Sequence, residues 1–286
     1  MLLHLISAKE LHERILQAPE HLRILDCRHR LNDAYEGFRL YQSGHIPTAS
    51  HAHMDRDYCA PPGFAPDGHH LGRHPLLLEE EFLRRVAMWG ISPATQVVVY
   101  DDAGGAYAAR LWWHLRAVGH LAVRVLDGGF SAWQAQGFPV ETKENPLECG
   151  QGIYPGKFDH SRVISFDEVK LIVEKTPPHT PILDARGEGR FRGEAENLDM
   201  PGGHIPGAHN FPYANNLKAD QTFKTPEELQ QLYKSLQDTN PIASCGSGVT
   251  ACHLILALEI AGIKDVRLFV ESYSGWCRTP GLPIKK

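Results

Sequence analysis

The sequence predicts an α/β protein of two tandem domains, each a mostly parallel sheet covered by helices on both faces. Three observations carry that prediction. Short apolar runs such as Ile24-Leu25-Asp26 and Val97-Val98-Val99-Tyr100 alternate with longer helical patterns, and such alternation builds parallel sheets whose crossovers lie on the faces. The segments then recur: Ile182-Leu183-Asp184-Ala185-Arg186 repeats Ile24-Leu25-Asp26-Cys27-Arg28, and Gly203-His204-Ile205-Pro206 repeats Gly44-His45-Ile46-Pro47. Between the copies lies a stretch with Pro146, Gly150, Gly152, Pro155 and Gly156 and no periodicity, which reads as a linker.

At 286 residues the chain can bury a full core in one or two domains. A formal charge of -5 and no polybasic run argue against nucleic acid or an anionic membrane as the main partner. No apolar run reaches the length of a membrane span, and the opening Met1 to Ile6 is too short for a secretion signal. The cysteines Cys27, Cys59, Cys149, Cys245, Cys252 and Cys277 are scattered with no C-x-x-C pair, which suggests neither a disulfide framework nor a zinc ribbon. A cytoplasmic protein with a free reactive thiol is expected.

In order along the chain, Ser7-Ala8-Lys9-Glu10 reads as a capping box before a helix carrying Leu11, Ile15 and Leu16. Ile24 to Arg28 is a buried strand ending in charge, and Gly44 to Pro47 a turn. Residues 51–75, rich in His, Pro and Gly, form a long irregular loop. A helix over 79–89, a strand at Val97–Tyr100, a turn over 101–105, a helix over 106–118 and a strand over 123–126 follow. Gly129-Phe130-Ser131-Ala132-Trp133 opens a last short helix. The second copy starts at Ser165-Phe166-Asp167-Glu168, another capping box, and Thr225-Pro226-Glu227-Glu228 places Pro at a first helical position. The expected domains are therefore residues 1–141 and 161–286, with a linker over 142–160.

Further along, an offset of 143 pairs Gly119 with Gly262 and Phe130-Ser131-Ala132-Trp133 with Tyr273-Ser274-Gly275-Trp276. The first copy thus holds extra residues around the 51–75 loop. Long loops are more often functional than idle, and this one is expected to reach the other half.

The stretch that carries chemistry is Cys245-Gly246-Ser247-Gly248-Val249-Thr250, between an apolar strand and an apolar helix over 250–261. Gly246 and Gly248 allow the backbone to curl through positive φ. Successive N–H groups in such a curl form an anion-binding nest, and the helix N-terminus adds positive potential. A thiol there should ionise readily. Against this stands a buried structural cysteine beside a tight turn. The repeat is the control: at the same offset Asp102 faces Cys245. A carboxylate is a poor core filler, so both positions are expected to be exposed, with the nucleophile in the second half only.

Together the paired ILD-x-R and GHIP segments, the Cys245 loop, the thiol-free Asp102 loop and the FSAW and YSGW segments resemble the two-domain rhodanese-like sulfurtransferases. The loop is similar to that of the 3-mercaptopyruvate group within them. The resemblance covers nearly the whole chain. It implies a tandem rhodanese-like fold and transfer of a sulfane sulfur from 3-mercaptopyruvate, or from thiosulfate, through a Cys245 persulfide. It implies a thiol, cyanide or a thioredoxin-like protein as acceptor, and no metal or organic cofactor. Ser247 is implied to work with a histidine and an aspartate, for which His74 and Asp57 are taken, with Asp55 as the alternative. Arg190 is the expected carboxylate anchor, with the loop residues Gly246, Gly248, Val249 and Thr250 around the anion. Arg186 is expected to be structural, because Arg28 stands at the equivalent place.

Where relatives carry a second arginine before GHIP, this chain has Glu194-Ala195-Glu196-Asn197-Leu198-Asp199; Arg192 is the candidate replacement. The loop itself supplies no cation for a thiosulfate dianion. Three rivals remain. A phosphatase needs C-x5-R, but that position is Ala251. A thiosulfate-preferring enzyme and a persulfide carrier or partner-binding module without turnover stay open. The histidines His51, His53, His69, His70 and His74 fit no zinc spacing, and Cys252 reads as a packed residue two turns into its helix.

Overall fold

The computed structural model describes residues 4–145, 152–175 and 180–286; the middle of the expected linker, with Cys149, lies outside them. The chain forms two compact units. The first comprises Met1–Cys59, Leu77–Asp159 and Leu217–Phe223, and the second Ala60–Leu76, His160–Asn216 and Lys224–Lys286. The expected bounds were sequential; the compact units instead exchange a segment in each direction. The long loop accounts for one exchange, since residues 60–76 fold as part of the second unit.

In the first unit β1 (Leu5–Ile6), β2 (Leu22–Asp26), β3 (Ser50–His51), β4 (Gln96–Tyr100) and β5 (Val123–Leu126) form one sheet in the order β1-β5-β4-β2-β3. Every pairing is parallel. Successive residues of a strand face opposite sides, and Val97, Val98, Val99 and Tyr100 are all buried, so both faces are covered. On one, Val98 and Tyr100 pack with Leu11 of the helix Ala8–Gln17 and with Phe130 and Trp133 of the helix Gly129–Ala135. The helix Ala108–Ala117 packs on β4 and β5 from the other.

The second unit repeats this with β6 (Ile182–Asp184), β7 (Ala208–Asn210), β8 (Ile242–Ser244) and β9 (Arg267–Leu268), in the order β7-β6-β8-β9 and again parallel. Ile182 and Ile242 pack on Phe166, Val169, Tyr273 and Trp276. The helix Val249–Ile260 packs on β8 and β9 and is buried nearly all round, which suits its unbroken apolar sequence.

The repeated motifs have one structural role each. Arg28 lies beside the Asp26 carboxylate and donates from Nη2 to the Gly44 carbonyl at 2.7 Å; Arg186 does the same with Asp184 and the Gly203 carbonyl at 2.8 Å. The arginine of ILD-x-R therefore ties its strand to the glycine of GHIP. Arg28 and Arg186 are both buried, so the structural reading of Arg186 holds. The capping boxes at Ser165 and Thr225 close in full, with Pro226 inside the first turn. Ser7 accepts from the Glu10 amide at 3.1 Å, while Glu10 turns its carboxylate to Arg14 and Arg124.

Candidate active site

Cys245 follows β8 directly, at the carboxyl end of the parallel sheet, where open α/β folds bind ligands. The turn of the loop is made at Gly248, whose φ is 74°; it precedes the helix Val249–Ile260, which starts one residue earlier than the sequence suggested. The first turn of that helix leaves leading N–H groups without intrahelical partners. Gly246 is glycine for a different reason from the one expected. Its φ is not positive. What it lacks is space: a Cβ there would lie 3.0 Å from Arg73 Nη2, 3.3 Å from Asp199 Oδ2 and 3.4 Å from Arg190 Nη2.

The helix Ser272–Arg278 holds the strand exit. The Cys245 amide donates to Ser272 Oγ at 3.1 Å, and the Cys245 and Gly246 carbonyls accept from the Tyr273 and Ser274 amides at 3.0 and 2.8 Å. In the first unit the Phe130 amide donates to the Asp101 carbonyl at 2.8 Å. Likewise, Cys27 N–H meets the Tyr100 carbonyl as Ala185 N–H meets that of Ser244. These pairs correct the register: Asp101, not Asp102, is the counterpart of Cys245. Asp102 instead forms a two-pronged ion pair with Arg30, at 2.9 and 2.7 Å.

Both positions are also buried, where exposure was expected. Cys245 is only 2% exposed and Asp101 is fully buried, so neither position is at the surface. The carboxylate survives burial because four amides satisfy it: Oδ1 accepts from Ala103 and Gly105, and Oδ2 from Tyr107 and Ala108, all at 2.8–2.9 Å. Burial still raises its pKa, against the pull of those amides. The first unit thus displays the nest with an anion of its own chain inside it. The second unit has the same turn, with φ of 74° at Gly248 against 65° at Gly104, and a sulfur where the carboxylate sits.

The second unit's own arm brings a histidine to the loop. Gly72, at φ 81°, brings its backbone so near Glu271 that a Cβ would lie 2.7 Å from that residue's carbonyl oxygen. The following Arg73 amide donates to Ser274 Oγ at 3.1 Å. His74 Nδ1 then stands 2.7 Å from Ser247 Oγ, with both residues buried. Arg73 Nη2 lies 3.4 Å from the same hydroxyl.

The residues 186–199 fold into a cage of charge. Arg190 donates from Nε to Glu196 Oε2 at 3.0 Å and from Nη2 to Asp199 Oδ2 at 3.1 Å. Glu196 also accepts from Arg186 at 3.2 Å and from the Leu198 and Asp199 amides. Burial works to raise the Glu196 pKa, but Arg190 and the Leu198 amide outweigh it and hold the group below the usual glutamate range. Asp199 accepts from Arg73 and, at 2.9 Å, from Arg278 as well.

Two expected members do not join this arrangement. Arg192 is 46% exposed and pairs with Glu188 and Glu194 on the surface. Its offset of two from Arg190 turns it away on the short helix Glu188–Phe191, at whose end it stands. Asp57 belongs to the first unit, where both its oxygens are engaged by the His53 amide and Arg56 at 2.7–3.0 Å, closing a turn over Met54–Tyr58. The loop's own residues carry no cation, as expected, but Arg73 and the expected Arg190 stand over Gly246. Arg73, Glu196, Asp199 and Arg278 were missed as site residues. Only Arg73 carried a signal, as the neighbour of His74 in Gly72-Arg73-His74-Pro75.

The other described cysteines are unlike nucleophiles. Burial pushes the Cys59 and Cys277 thiols up to about 11 and Cys27 well above its ordinary value. Cys252 donates its thiol to the Gly248 carbonyl at 3.3 Å inside its helix.

The profile of the rhodanese-like domain matches the sequence twice, over residues 7–136 and 165–279. The chain belongs to the rhodanese-like family. The rhodanese-like chain is 41% identical to a probable 3-mercaptopyruvate sulfurtransferase of Pseudomonas aeruginosa over 98% of its own length and 97% of the relative's. It is 34% identical to the thiosulfate sulfurtransferase of Gallus gallus, over 95% and 92% of the two chains. Among solved structures, SseA from Escherichia coli, described with the 3-mercaptopyruvate sulfotransferases, superposes with a TM-score of 0.78 at 29% identity, covering 94% and 98%. The tandem rhodanese-like architecture read from the repeat is the one found. Among the described residues no helix is long and apolar enough to cross a membrane.

Proposed function

We propose that this protein is a sulfurtransferase that takes a sulfane sulfur from 3-mercaptopyruvate onto Cys245 and hands it to a thiol. The observation that carries the reading is the pair Ser247–His74, 2.7 Å apart, beside a cysteine at the mouth of an amide-lined turn. The relatives support the reaction class.

The Cys245 thiolate attacks the donor sulfur. An S–S bond forms, the C–S bond breaks, and its electron pair leaves as the enolate of pyruvate. The donor's thiol proton passes to the Ser247–His74 pair, which returns one to the enolate carbon. An acceptor thiolate then attacks the outer sulfur, and Cys245 leaves as thiolate. This is nucleophilic catalysis in two halves. Helix and loop amides of Gly246 through Thr250 stabilise the anionic sulfur in each, as oxyanion-hole donors do for oxygen. Arg190 holds the donor carboxylate. No metal or organic cofactor enters these steps.

The second unit is the catalytic one and the first a scaffold, since Asp101 fills the first unit's nest. The partners are a small sulfur donor and a thiol acceptor, of which a thioredoxin-like protein is the proteinaceous form. Free cysteines at 27, 59, 245, 252 and 277 suit a reducing cytoplasm. Steady-state rates with 3-mercaptopyruvate and with thiosulfate, together with mass analysis of the Cys245 peptide, test the proposal. A higher kcat/KM with mercaptopyruvate and one added sulfur atom on Cys245 are expected. A higher value with thiosulfate reverses the donor, and sulfur uptake without transfer makes the protein a carrier.

A further inference from the structure

We propose that His70 is a positioning residue for sulfur transfer: its unprotonated Nδ1 sets the tight turn at Gly72 that delivers His74 to Ser247, and protonation of that nitrogen releases the turn. This rests on the sulfurtransferase reading and adds to it a residue that touches neither donor nor sulfur.

The arm of residues 60–76 is a hairpin. Phe64 and His70 face each other in an antiparallel bridge, and the Ala65 and Leu71 amides donate across it to the His69 and Gly63 carbonyls, both at 2.9 Å. Past the hairpin the chain turns sharply at Gly72, with φ of 81°. The Gly72 amide donates to His70 Nδ1 at 2.9 Å. An amide N–H only donates, so that nitrogen carries no proton and Nε2 holds the hydrogen. Two residues on, His74 Nδ1 meets Ser247 Oγ.

The helix Ser272–Arg278 receives the arm. The His70 amide donates to Thr279 Oγ1 at 3.0 Å, and the Arg73 amide to Ser274 Oγ at 3.1 Å. A Cβ on Gly275 would lie 2.6 Å from the His70 carbonyl oxygen. At the offset of 143 the first copy has Ala132 and Gln136 in place of Gly275 and Thr279, so this seat belongs to the second copy. The backbone is pinned on both sides of the turn, and the Gly72 amide between is held by the His70 ring.

Protonation would set an N–H against the Gly72 N–H. The acceptor is lost and an unpaired amide remains, so the turn opens. Arg278 and Asp199 act on the ring directly; the other charged or titratable groups around it are Asp67, His69, Arg73 and His74 on the arm and Glu271 before the helix. Burial and then Arg278 push the His70 pKa below the ordinary histidine value, against the pull of Asp199. The turn is therefore complete above the unfolded pKa of about 6.5 and is lost as pH falls through the lower folded value.

The test compares two variants of the whole chain. His70→Asn offers Gly72 an oxygen that does not titrate; His70→Phe keeps a ring against Phe64 and offers no acceptor. With 3-mercaptopyruvate, kcat of His70→Phe should fall about tenfold at every pH, with KM little changed. His70→Asn should match the wild type at about pH 7.5, and its kcat relative to wild type should rise about tenfold by about pH 5. The ratio cancels the titration of His74, which both proteins share. Hydrogen exchange of the Gly72 amide reads the turn apart from the chemistry: its protection should fall with pH in the wild type and stay level in His70→Asn. A ratio that does not move with pH, or a His70→Phe protein as active as His70→Asn, overturns the proposal. Should His70→Phe not fold, the His70→Asn ratio decides alone. A wild-type protein that transfers no sulfur from either donor, while Gly72 protection follows pH as described, counts against the sulfurtransferase reading and leaves the turn standing.

Discussion

Gly246→Ala places one methyl group where the loop, the arm and the arginine cage meet. With no positive φ at this residue, the backbone tolerates alanine. The cost is spatial. The new Cβ would stand 3.0 Å from Arg73 Nη2, 3.3 Å from Asp199 Oδ2 and 3.4 Å from Arg190 Nη2, so the Arg73 guanidinium and the Asp199 carboxylate that holds Arg190 must give by a few tenths of an ångström. Neither arginine swings freely, because both are tied to the buried Asp199. Retreat weakens one charge-assisted hydrogen bond to the donor, worth about 1.5–3 kcal/mol when lost outright. Partial loss of ~1–2 kcal/mol corresponds to a fall in kcat/KM of about 5- to 30-fold. That fall should lie mainly in KM, since the carboxylate anchor acts alike in ground and transition states. Gly248→Ala is the contrast. At φ 74° the alanine side chain is strained by about 1–2 kcal/mol whatever its surroundings, so this variant should lose stability in urea denaturation. Kinetics with 3-mercaptopyruvate and urea melts on both variants provide the measurement. If Gly246→Ala keeps wild-type KM, or loses as much stability as Gly248→Ala, the steric reasoning is wrong.

Cys245→Ser should abolish transfer from either donor while circular dichroism and urea midpoint stay near wild type. His74→Ala should slow turnover of 3-mercaptopyruvate by about 10²- to 10⁴-fold, the range for a lost acid–base group. Thiosulfate carries no thiol proton, so its reaction should suffer far less; equal losses would remove the proton role. Arg186→Met strips the buried Asp184 carboxylate of its guanidinium partner, leaves Glu196 with Arg190 alone of its two, and should cost about 3–5 kcal/mol in urea denaturation. Because Glu196 is held below the usual glutamate range, its contribution is complete above the unfolded pKa of about 4.3 and is lost as pH falls through the lower folded value. Glu196→Gln should flatten that acid limb, which stability measured between pH 6 and about pH 3 would reveal.

The architecture was legible in the chain because it is written there twice. Periodicity fixed the strands and helices. Repetition of ILD-x-R marked Arg28 and Arg186 as an equivalent, structural pair; Cys245 was legible in its loop, and Ser247 and His74 through the resemblance. Tertiary structure alone decided which charges meet at the thiol. Arg73 lies 126 residues before Asp199 and meets Asp199 and Arg190 only because residues 60–76 fold with the second unit, a matter of packing that no local pattern encodes. It also decided the register of the two loops. A one-residue shift is invisible in an ungapped alignment, but a parallel ladder admits only one set of hydrogen bonds, and that set places Asp101 where the sulfur stands.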